Sequence, residues 1–225
     1  MINTKVLIVG ASGLVGSEIL KCVQKLNQEI ILLSRNPLSS LLEENTKELI
    51  TSFDNLNQVD FPSVDHVYIA IGKKLEPTEL LFIPESKRDE FVQTDCNYVV
   101  NISKKAREKG AKSIAVVSAV GANISSNNLY LKTKGDMENK VKEIGYKKVV
   151  FAQPSHLLGD RSKEKFRIDV RLIELGGKIF DPFMQGPLSD LRFISAKKVA
   201  HAMVKKMNED SEGLSALKYK DFIVD

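Results

Sequence analysis

Short apolar runs alternate with amphipathic segments along much of the chain, and this alternation constrains the fold more than any other feature. Residues 5–9, 29–33 and 112–118 are rich in β-branched and aliphatic side chains, as buried strands are. Residues 13–26 instead space their apolar side chains as one face of a helix does. Near-continuous apolar strands joined by helices predict an α/β fold in which helices cover both faces of a parallel sheet.

The same patterns extend toward the carboxyl end and then stop. The predicted strands lie at residues 5–9, 29–33, 48–51, 65–71, 112–118 and 147–152, and the predicted helices at 13–26, 38–44, 86–109, 129–144 and 195–208. After Pro154 the pattern becomes irregular. We expect a doubly wound, Rossmann-type parallel sheet. We also expect one domain over residues 1–225, with a small C-terminal cap at residues 155–194 on the substrate side.

Composition argues against several classes of protein. The net charge is +4 and the basic residues are scattered, so nucleic-acid binding is not indicated. Two cysteines make no disulfide framework, and no His/Cys cluster has the spacing of metal ligands. The apolar run at residues 6–9 is too short for a signal peptide, and no stretch approaches the ~20 apolar residues of a membrane span. We expect a cytoplasmic protein that acts on a small molecule, with no metal, nucleic acid or membrane partner.

A glycine-rich loop joins the first predicted strand to the first predicted helix. It reads Gly10-Ala11-Ser12-Gly13-Leu14-Val15-Gly16. Glycines at these spacings permit a tight turn, a close approach of backbone to pyrophosphate, and close contact between helix and strand. The helix N-terminus then offers free N–H groups and a partial positive charge. The loop therefore predicts a site for a nicotinamide dinucleotide.

The residue after the second strand bears on which dinucleotide binds. An acidic side chain there would bond the ribose hydroxyls of NAD. This chain has Arg35, whose guanidinium suits a 2′-phosphate. NADP is therefore favoured over NAD, and a plain surface charge at Arg35 is the alternative.

A serine, a tyrosine and a lysine follow the fifth strand. Ser118 ends that strand, Tyr130 comes early in the next predicted helix, and Lys134 is one turn further on, on the same helix face. A lysine charge beside the phenol favours the phenolate, so Tyr130 can act as a proton donor or acceptor. Ser118 can hydrogen-bond a substrate oxygen. The set predicts a catalytic Ser-Tyr-Lys group.

With these motifs, the chain resembles the atypical branch of the short-chain dehydrogenase/reductase superfamily, in the group of the Tat-interacting oxidoreductase and its small bacterial relatives. The resemblance is densest in GASGLVG, in AIG at residues 70–72, at residues 125–141 and at residues 153–161. It implies that Tyr130 is catalytic, that Lys134 holds the nicotinamide ribose, and that Asp95 is the polar residue behind that lysine. The other residues that it places at the cofactor are Gly10, Ser12, Gly13, Leu14, Val15, Gly16, Arg35, Phe53, Ala70, Ile71, Gly72 and Leu157.

The chain also departs from the usual pattern of this group. Ser52 precedes the phenylalanine expected beside the adenine, where an acidic residue is usual, and Asp54 follows it instead. Gln153 stands before Pro154 where many relatives carry arginine, which removes a positive charge near the substrate entrance.

Several functions remain open from the sequence. The first is an NADP(H)-dependent oxidoreductase that transfers hydride between nicotinamide and a small carbonyl or alcohol. The alternative is a regulatory or interaction protein that holds NAD(P) without turnover, and the third is a sugar-nucleotide epimerase or dehydratase. By analogy with the superfamily, a homodimer through the long helices at residues 90–108 and 130–143 is also left open.

Overall fold

The computed structural model describes residues 4–76, 78–155, 157–158, 190 and 192–224. The strands are β1 (Lys5–Val9), β2 (Glu29–Ser34), β3 (Thr46–Ile50), β4 (His66–Ile69), β5 (Ser113–Val117), β6 (Lys148–Ala152), β7 (Leu157–Leu158), β8 (Ile194–Ser195) and β9 (Gly213–Leu217). The helices are α1 (Leu14–Gln24), α2 (Glu85–Val92), α3 (Tyr98–Glu108), α4 (Leu129–Lys142), α5 (Ala196–Asn208) and α6 (Tyr219–Phe222). A π-helical turn, Gln93–Asn97, joins α2 directly to α3.

The main sheet has seven strands in the order β3-β2-β1-β4-β5-β6-β9, all parallel. The chain moves outward from β1 to β3, then returns to place β4 on the other side of β1. This reversal opens a crevice at the carboxyl ends of β1 and β4, which is where doubly wound sheets bind ligands. The predicted Rossmann-type sheet is confirmed.

Two apolar layers cover the two faces of the sheet. Alternate residues of β1 point to opposite sides, so that Leu7 packs with α3 and α4 while Ile8 packs with α1 and α5. Helices on both faces explain why the central strands are apolar at nearly every position, as the sequence pattern predicted. No helix among the described residues has the length and apolar character needed to cross a membrane.

Three local features differ from the sequence-based prediction. The helix expected at residues 38–44 is a single 3-10 turn at Ser39–Leu41. The strand β9 was not predicted, because Gly213–Leu217 lies at the sheet edge and is mostly exposed. The long helix predicted at residues 86–109 forms, but the π-helical turn interrupts it.

Most of the cap predicted at residues 155–194 lies outside the described residues. Its two ends are described: β7 and β8 form a separate parallel pair in which Leu157 is opposite Ile194. The two described ends of the stretch therefore lie side by side, just after β6 and just before α5. That it forms a substrate-side cap stays a prediction.

Candidate functional site

The glycine loop turns sharply at the carboxyl end of β1. Gly10 has φ +91°, a conformation that L side chains rarely adopt, and a Cβ there would lie 2.6 Å from the carbonyl oxygen of Ala70. The Gly13 N–H donates to the Gly10 carbonyl at 2.9 Å, which closes the turn. A Cβ on Gly16 would lie 2.0 Å from that same carbonyl oxygen. Gly10 and Gly16 therefore occupy places where a side chain does not fit, while a Cβ on Gly13 would make a tight contact of 3.2 Å with the Gly10 carbonyl oxygen.

The N-terminus of α1 is suited to an anion. Gly13 is its N-cap, and no side chain caps the helix. The first turn also has no acidic residue. Ser12 is exposed at the loop tip, Leu14 is half-buried, and Val15 is buried in the core beneath the loop. The free N–H groups and the partial positive charge of the helix are thus available to a pyrophosphate, so the residues present fit a dinucleotide.

Arg35 lies at the carboxyl end of β2, in a small cluster around an aromatic ring. Its guanidinium carbon is 5.6 Å from the centre of the Phe53 ring. Phe53 is 6% exposed and meets Tyr98 edge to face, with the ring centres 5.5 Å apart. The hydroxyl of Tyr98 donates to Asp54, 2.9 Å from each carboxylate oxygen. Asp54, displaced in sequence from the usual position, is therefore tied to α3 rather than free beside an adenine.

A carboxylate from the neighbouring strand supports the loop that carries Arg35. Glu48 of β3 accepts hydrogen bonds from the Ser34 hydroxyl at 3.2 Å and from the Leu38 N–H at 2.5 Å. Ser34 precedes Arg35 and Leu38 follows it, so Glu48 holds the chain on both sides of Arg35. No local sequence pattern indicates this role, because the Glu48 side chain reaches Ser34 only when β2 and β3 pair.

The end of β4 passes directly beside the glycine loop. The Ala70 N–H donates to the carbonyl of Val9 at 2.9 Å, which continues the ladder between β1 and β4. Ile71 packs against the core on the α3 side of the sheet. A Cβ on Gly72 would come within 3.0 Å of a carboxylate oxygen of Asp95. The predicted cofactor residues Ala70, Ile71 and Gly72 therefore line the crevice between β1 and β4.

The helix α4, which carries Tyr130 and Lys134, begins at a hydrogen-bonded N-cap. The Asn128 side chain accepts from the Leu131 N–H at 3.0 Å and donates to the carbonyl of Leu80 at 2.8 Å. Asparagine before a helical run is a recognisable N-cap signal, although the sequence analysis did not single it out. Tyr130, half-buried, and Lys134, 4% exposed, follow one turn apart on α4.

Lys134 forms a buried ion pair with the π-helical turn. Its ammonium nitrogen is 2.7 Å from Oδ1 of Asp95, and Asp95 is only 2% exposed. Burial alone would lower the pKa of Lys134, but the charge of Asp95 and the neighbouring Tyr130 raise that pKa above its ordinary value. Lys134 therefore stays charged inside the protein.

Tyr130 is subject to opposing effects. Burial raises the pKa of its phenol, the charge of Lys134 lowers it, and the charge of Asp95 raises it again, so that the pKa lies above its ordinary value. Its ring lies 5.8 Å from that of Phe91, centre to centre. The phenol is thus neutral over the physiological range of pH.

Ser118 directly follows β5, at the same edge of the sheet as the glycine loop. It is 3% exposed, and its N–H donates to the carbonyl of Ala152 at 2.7 Å. Its hydroxyl has no hydrogen-bond partner among the residues that the structure describes. A buried hydroxyl without a partner is costly, and it is suited to a ligand that supplies one.

Gln153 and Leu157 both follow β6. Leu157 packs against the apolar layer formed with α1 and α5. Gln153, which stands where many relatives have arginine, donates its amide hydrogen to Glu138 of α4 at 2.8 Å. In the described ranges, no group of three or more His, Cys, Asp or Glu side chains could hold a metal ion.

The glycine turn and, through Asp95, the Tyr-Lys pair both lie beside the crevice between β1 and β4. Residues 6–216 match the family described as NAD dependent epimerase/dehydratase. The chain belongs to this family. Members of the NAD dependent epimerase/dehydratase family share the doubly wound sheet described above, so the resemblance to short-chain dehydrogenase/reductases noted in the sequence is confirmed.

Two proteins from other organisms are similar to this chain over most of its length. Protein HTATIP2 of Rattus norvegicus is 33% identical over 171 residues, covering 73% of this chain and 67% of its own. The mitochondrial protein FMP52 of Candida albicans is 28% identical over 207 residues, covering 88% and 87%. Because that relative is mitochondrial, the expected cytoplasmic location of this chain stays a prediction.

Solved structures of the same fold include proteins in complex with NAD and with sugar nucleotides. MoeE5 in complex with UDP-glucose and NAD superposes with a TM-score of 0.69 at 14% identity, covering 97% of this chain and 79% of that one. UDP-N-acetylglucosamine 4-epimerase from Methanobrevibacter ruminantium, in complex with UDP-N-acetylmuramic acid, gives a TM-score of 0.68 at 14% identity, covering 97% and 77%. At these identities the likeness extends to the fold alone.

Proposed function

We propose that this chain is an NADP(H)-dependent oxidoreductase that reduces a small carbonyl compound to an alcohol. The observation that carries the proposal is the pairing of Tyr130 with a charged, buried Lys134 early in α4. The family and the glycine turn support a nicotinamide cofactor. The exposed Arg35, held over the Phe53 ring, supports a 2′-phosphate and hence NADP rather than NAD.

Different residues would bind different parts of the cofactor. The free N–H groups at the start of α1 would hold the pyrophosphate, and Arg35 would face the 2′-phosphate. Lys134 would hold the nicotinamide ribose. Ile71 and Gly72 would pass along the adenosine side, and Leu157 would pack near the nicotinamide. Lys134 and Ser118 are 4% and 3% exposed, so the reacting region is largely dry, which strengthens each charge interaction there.

The chemical step follows from these positions. When bound, the reduced nicotinamide supplies a hydride, which becomes the new C–H bond of the alcohol as the cofactor is oxidised. Ser118 donates a hydrogen bond that orients the carbonyl oxygen. Tyr130 gives its phenolic proton to that oxygen as the C=O π pair moves onto it, and the phenolate regains a proton from water.

A thermal-shift panel with NADP, NADPH, NAD and NADH tests the cofactor. A ligand that binds the folded state raises the melting temperature, so the phosphorylated pair should give the larger shift. No shift with any of the four nucleotides would end the proposal. Equal shifts for NADP and NAD would remove only the preference.

Turnover is tested with NADPH and a panel of small aldehydes and ketones. Tyr130→Phe removes only the hydroxyl, so it should abolish NADPH oxidation and leave cofactor binding nearly intact. Unchanged turnover would remove Tyr130 from the mechanism. Binding of NADPH without oxidation by any carbonyl would instead favour the regulatory alternative, in which the chain holds NAD(P) and does not turn over.

A sugar-nucleotide epimerase or dehydratase is the second candidate, because the family description and the structural neighbours point to that chemistry. The neighbours extend beyond the part that this chain covers, so they have more chain available for a substrate lobe. UDP-glucose in the same thermal-shift assay separates the two candidates. A shift with UDP-glucose would favour the epimerase, and no shift alongside a clear NADPH shift would exclude it.

A further inference from the structure

The strand β9 has an open edge. It is the last strand in the order of the main sheet, and among the described strands it pairs with β6 alone. Gly213, Leu214 and Ala216 are all exposed, and Leu214 is exposed over 56% of its surface, so this edge faces solvent. An open strand edge presents unpaired backbone groups to which a strand of another chain can bind.

The backbone groups of every second residue in β9 point away from β6. The Gly213 N–H donates to the Lys147 carbonyl at 2.7 Å. Bonding directions alternate along a strand, so Ser215 also bonds toward β6. The N–H and C=O groups of Leu214 and Ala216 therefore point toward the open edge, where they offer two donors and two acceptors.

The two edges of the sheet differ in how they are protected against pairing with another chain. Natural proteins commonly protect an exposed edge with charged side chains or proline. The opposite edge, β3, carries Lys47 and Glu48. Strand β9 reads Gly-Leu-Ser-Ala-Leu and has neither a charge nor a proline. It is therefore the edge of this sheet that is open to pairing.

Strand β9 and the residues beside it are self-complementary when two copies run antiparallel. With Ser215 opposite Ser215 of the second copy, Leu214 lies opposite Ala216, and their outward N–H and C=O groups meet as hydrogen-bonded pairs. The same register brings Glu212, just before the strand, near Lys218, just after it. Lys218 has φ −119° and ψ −176°, so the chain is still extended there. Two-fold symmetry makes each of these pairs occur twice.

The two charges that flank β9 are available to a second copy. Glu212 and Lys147 lie 3.3 Å apart, and both side chains are largely exposed. Lys218 lies 3.5 Å from Asp190, and that pair is also partly exposed. Exposed ion pairs contribute little to the stability of one chain, so these side chains can exchange or share partners on association.

We propose that a second copy of this chain binds along β9, so that the two seven-stranded sheets join antiparallel into one continuous sheet with its two-fold axis at Ser215. A second copy fits because the interface pairs each apolar or charged position with a complementary position of the same segment, as a two-fold interface requires. The proposal does not depend on the cofactor or on the reaction.

Disulfide cross-linking tests the register. Ser215→Cys, made together with Cys22→Ser, should give a covalent dimer on mild oxidation, because directly opposed residues have Cβ atoms about 4.5–5.5 Å apart. Ser211→Cys in the same background is the matched control, since Ser211 is exposed on the same segment but lies far from its own copy in this register. Cross-linking that is absent from Ser215→Cys, or equal in the two variants, would overturn the proposal.

Sedimentation velocity tests the surface. The unaltered chain should sediment as a dimer, and Leu214→Lys should raise the Kd of that dimer about tenfold or more, because it adds a charge to the open edge. Ile50→Lys is the matched control on the opposite edge strand, where Ile50 is 48% exposed, and it should leave the dimer intact. A monomeric unaltered chain would overturn the proposal. A dimer that survives Leu214→Lys would also overturn it and would favour another face, such as that of α3 and α4.

A charge exchange tests the pairing of Glu212 with Lys218. Glu212→Lys and Lys218→Glu should each raise the dimer Kd about tenfold, since each places like charges together twice across the axis. The double variant Glu212→Lys with Lys218→Glu restores opposite charges, so its Kd should return close to that of the unaltered chain. A double variant that dimerises no better than either single variant would contradict this register.

Discussion

The guanidinium of Arg35 lies over the ring of Phe53, 5.6 Å from its centre, although one residue follows β2 and the other follows β3. A ring beneath a guanidinium restricts its movement while leaving its N–H donors free at the edge. The contact therefore limits the positions that this exposed guanidinium takes.

Replacing Arg35 by alanine should abolish the preference for phosphorylated cofactors. Loss of a charge-assisted bond to phosphate costs about 1.5–3 kcal/mol, so the Kd for NADPH should rise about 10- to 100-fold while that for NADH changes little. Fluorescence titration with both nucleotides measures this. Lys47→Ala is the control, since Lys47 is an exposed cation on β3 that pairs with Glu29. A preference for NADPH that survives in Arg35→Ala would show that the assignment of Arg35 is wrong.

The glycine loop should not tolerate a methyl group at Gly16. A Cβ there would lie 2.0 Å from the Gly10 carbonyl oxygen, so Gly16→Ala must move backbone and should cost about 3 kcal/mol of unfolding free energy. Urea denaturation measures the cost. Gly213→Ala is the comparison: its φ is +100° but nothing lies within 4 Å, so backbone strain alone should cost about 1 kcal/mol. Equal losses in the two variants would contradict the close packing of the loop.

The kcat of carbonyl reduction should be nearly independent of pH at all neutral values below the pKa of Tyr130. The pKa of this phenol is raised, and its protonated form is the active one, so kcat should stay level from about pH 6 to pH 9 and fall only at higher pH. Alcohol oxidation needs the phenolate and should rise steadily with pH. Both are measured at saturating cofactor and substrate. A reduction rate that falls between neutral pH and pH 8 would contradict the raised pKa.

A buried lysine holds the end of α5. The Lys148 ammonium donates to the carbonyl of Met207, in the last turn of the helix, at 3.2 Å. It also donates to the carbonyl of Glu209, the C-cap residue. Lys148→Met would fill the same space and leave these acceptors unpaired, at a cost of about 1–3 kcal/mol in unfolding free energy. The neighbouring Lys147, exposed and paired with exposed Glu212, should cost under about 0.5 kcal/mol when changed to methionine. Similar losses for the two variants in urea denaturation would contradict this role of Lys148.

Much of the fold was predictable because its central strands are buried on both faces and therefore apolar at nearly every position. The edge strand β9 was not, because Gly213–Leu217 has little to bury and so carries no such pattern. The glycine turn was predictable from spacing because Gly13 and Gly16 both lie against the nearby Gly10 carbonyl, although the approach of Gly10 to Ala70 is made across strands. Contacts made across strands, such as that of Glu48 with Ser34, depend on a register that no local pattern records.

The ion pair between Asp95 and Lys134 was also only partly predictable from the sequence. The resemblance placed Asp95 behind the lysine, but nothing in the spacing predicted a direct ion pair of 2.7 Å or the helix irregularity that creates it. An extra residue shifts the apolar pattern by only one position, and because helical patterns already vary between spacings of three and four, the buried Phe91 and Val99 fit a regular helix as well.

The π-helical turn at Gln93–Asn97 holds one residue more than an α-helical turn does, which makes this helix sensitive to length. One residue corresponds to about 100° of rotation along an α-helix. A deletion within the turn would restore a regular helix, but it would swing either Asp95 away from α4 or the apolar stripe of α3 away from the sheet. Losing one residue here should therefore do more harm than replacing an exposed side chain such as Asn101, because phase rather than chemical identity links the two halves of the helix.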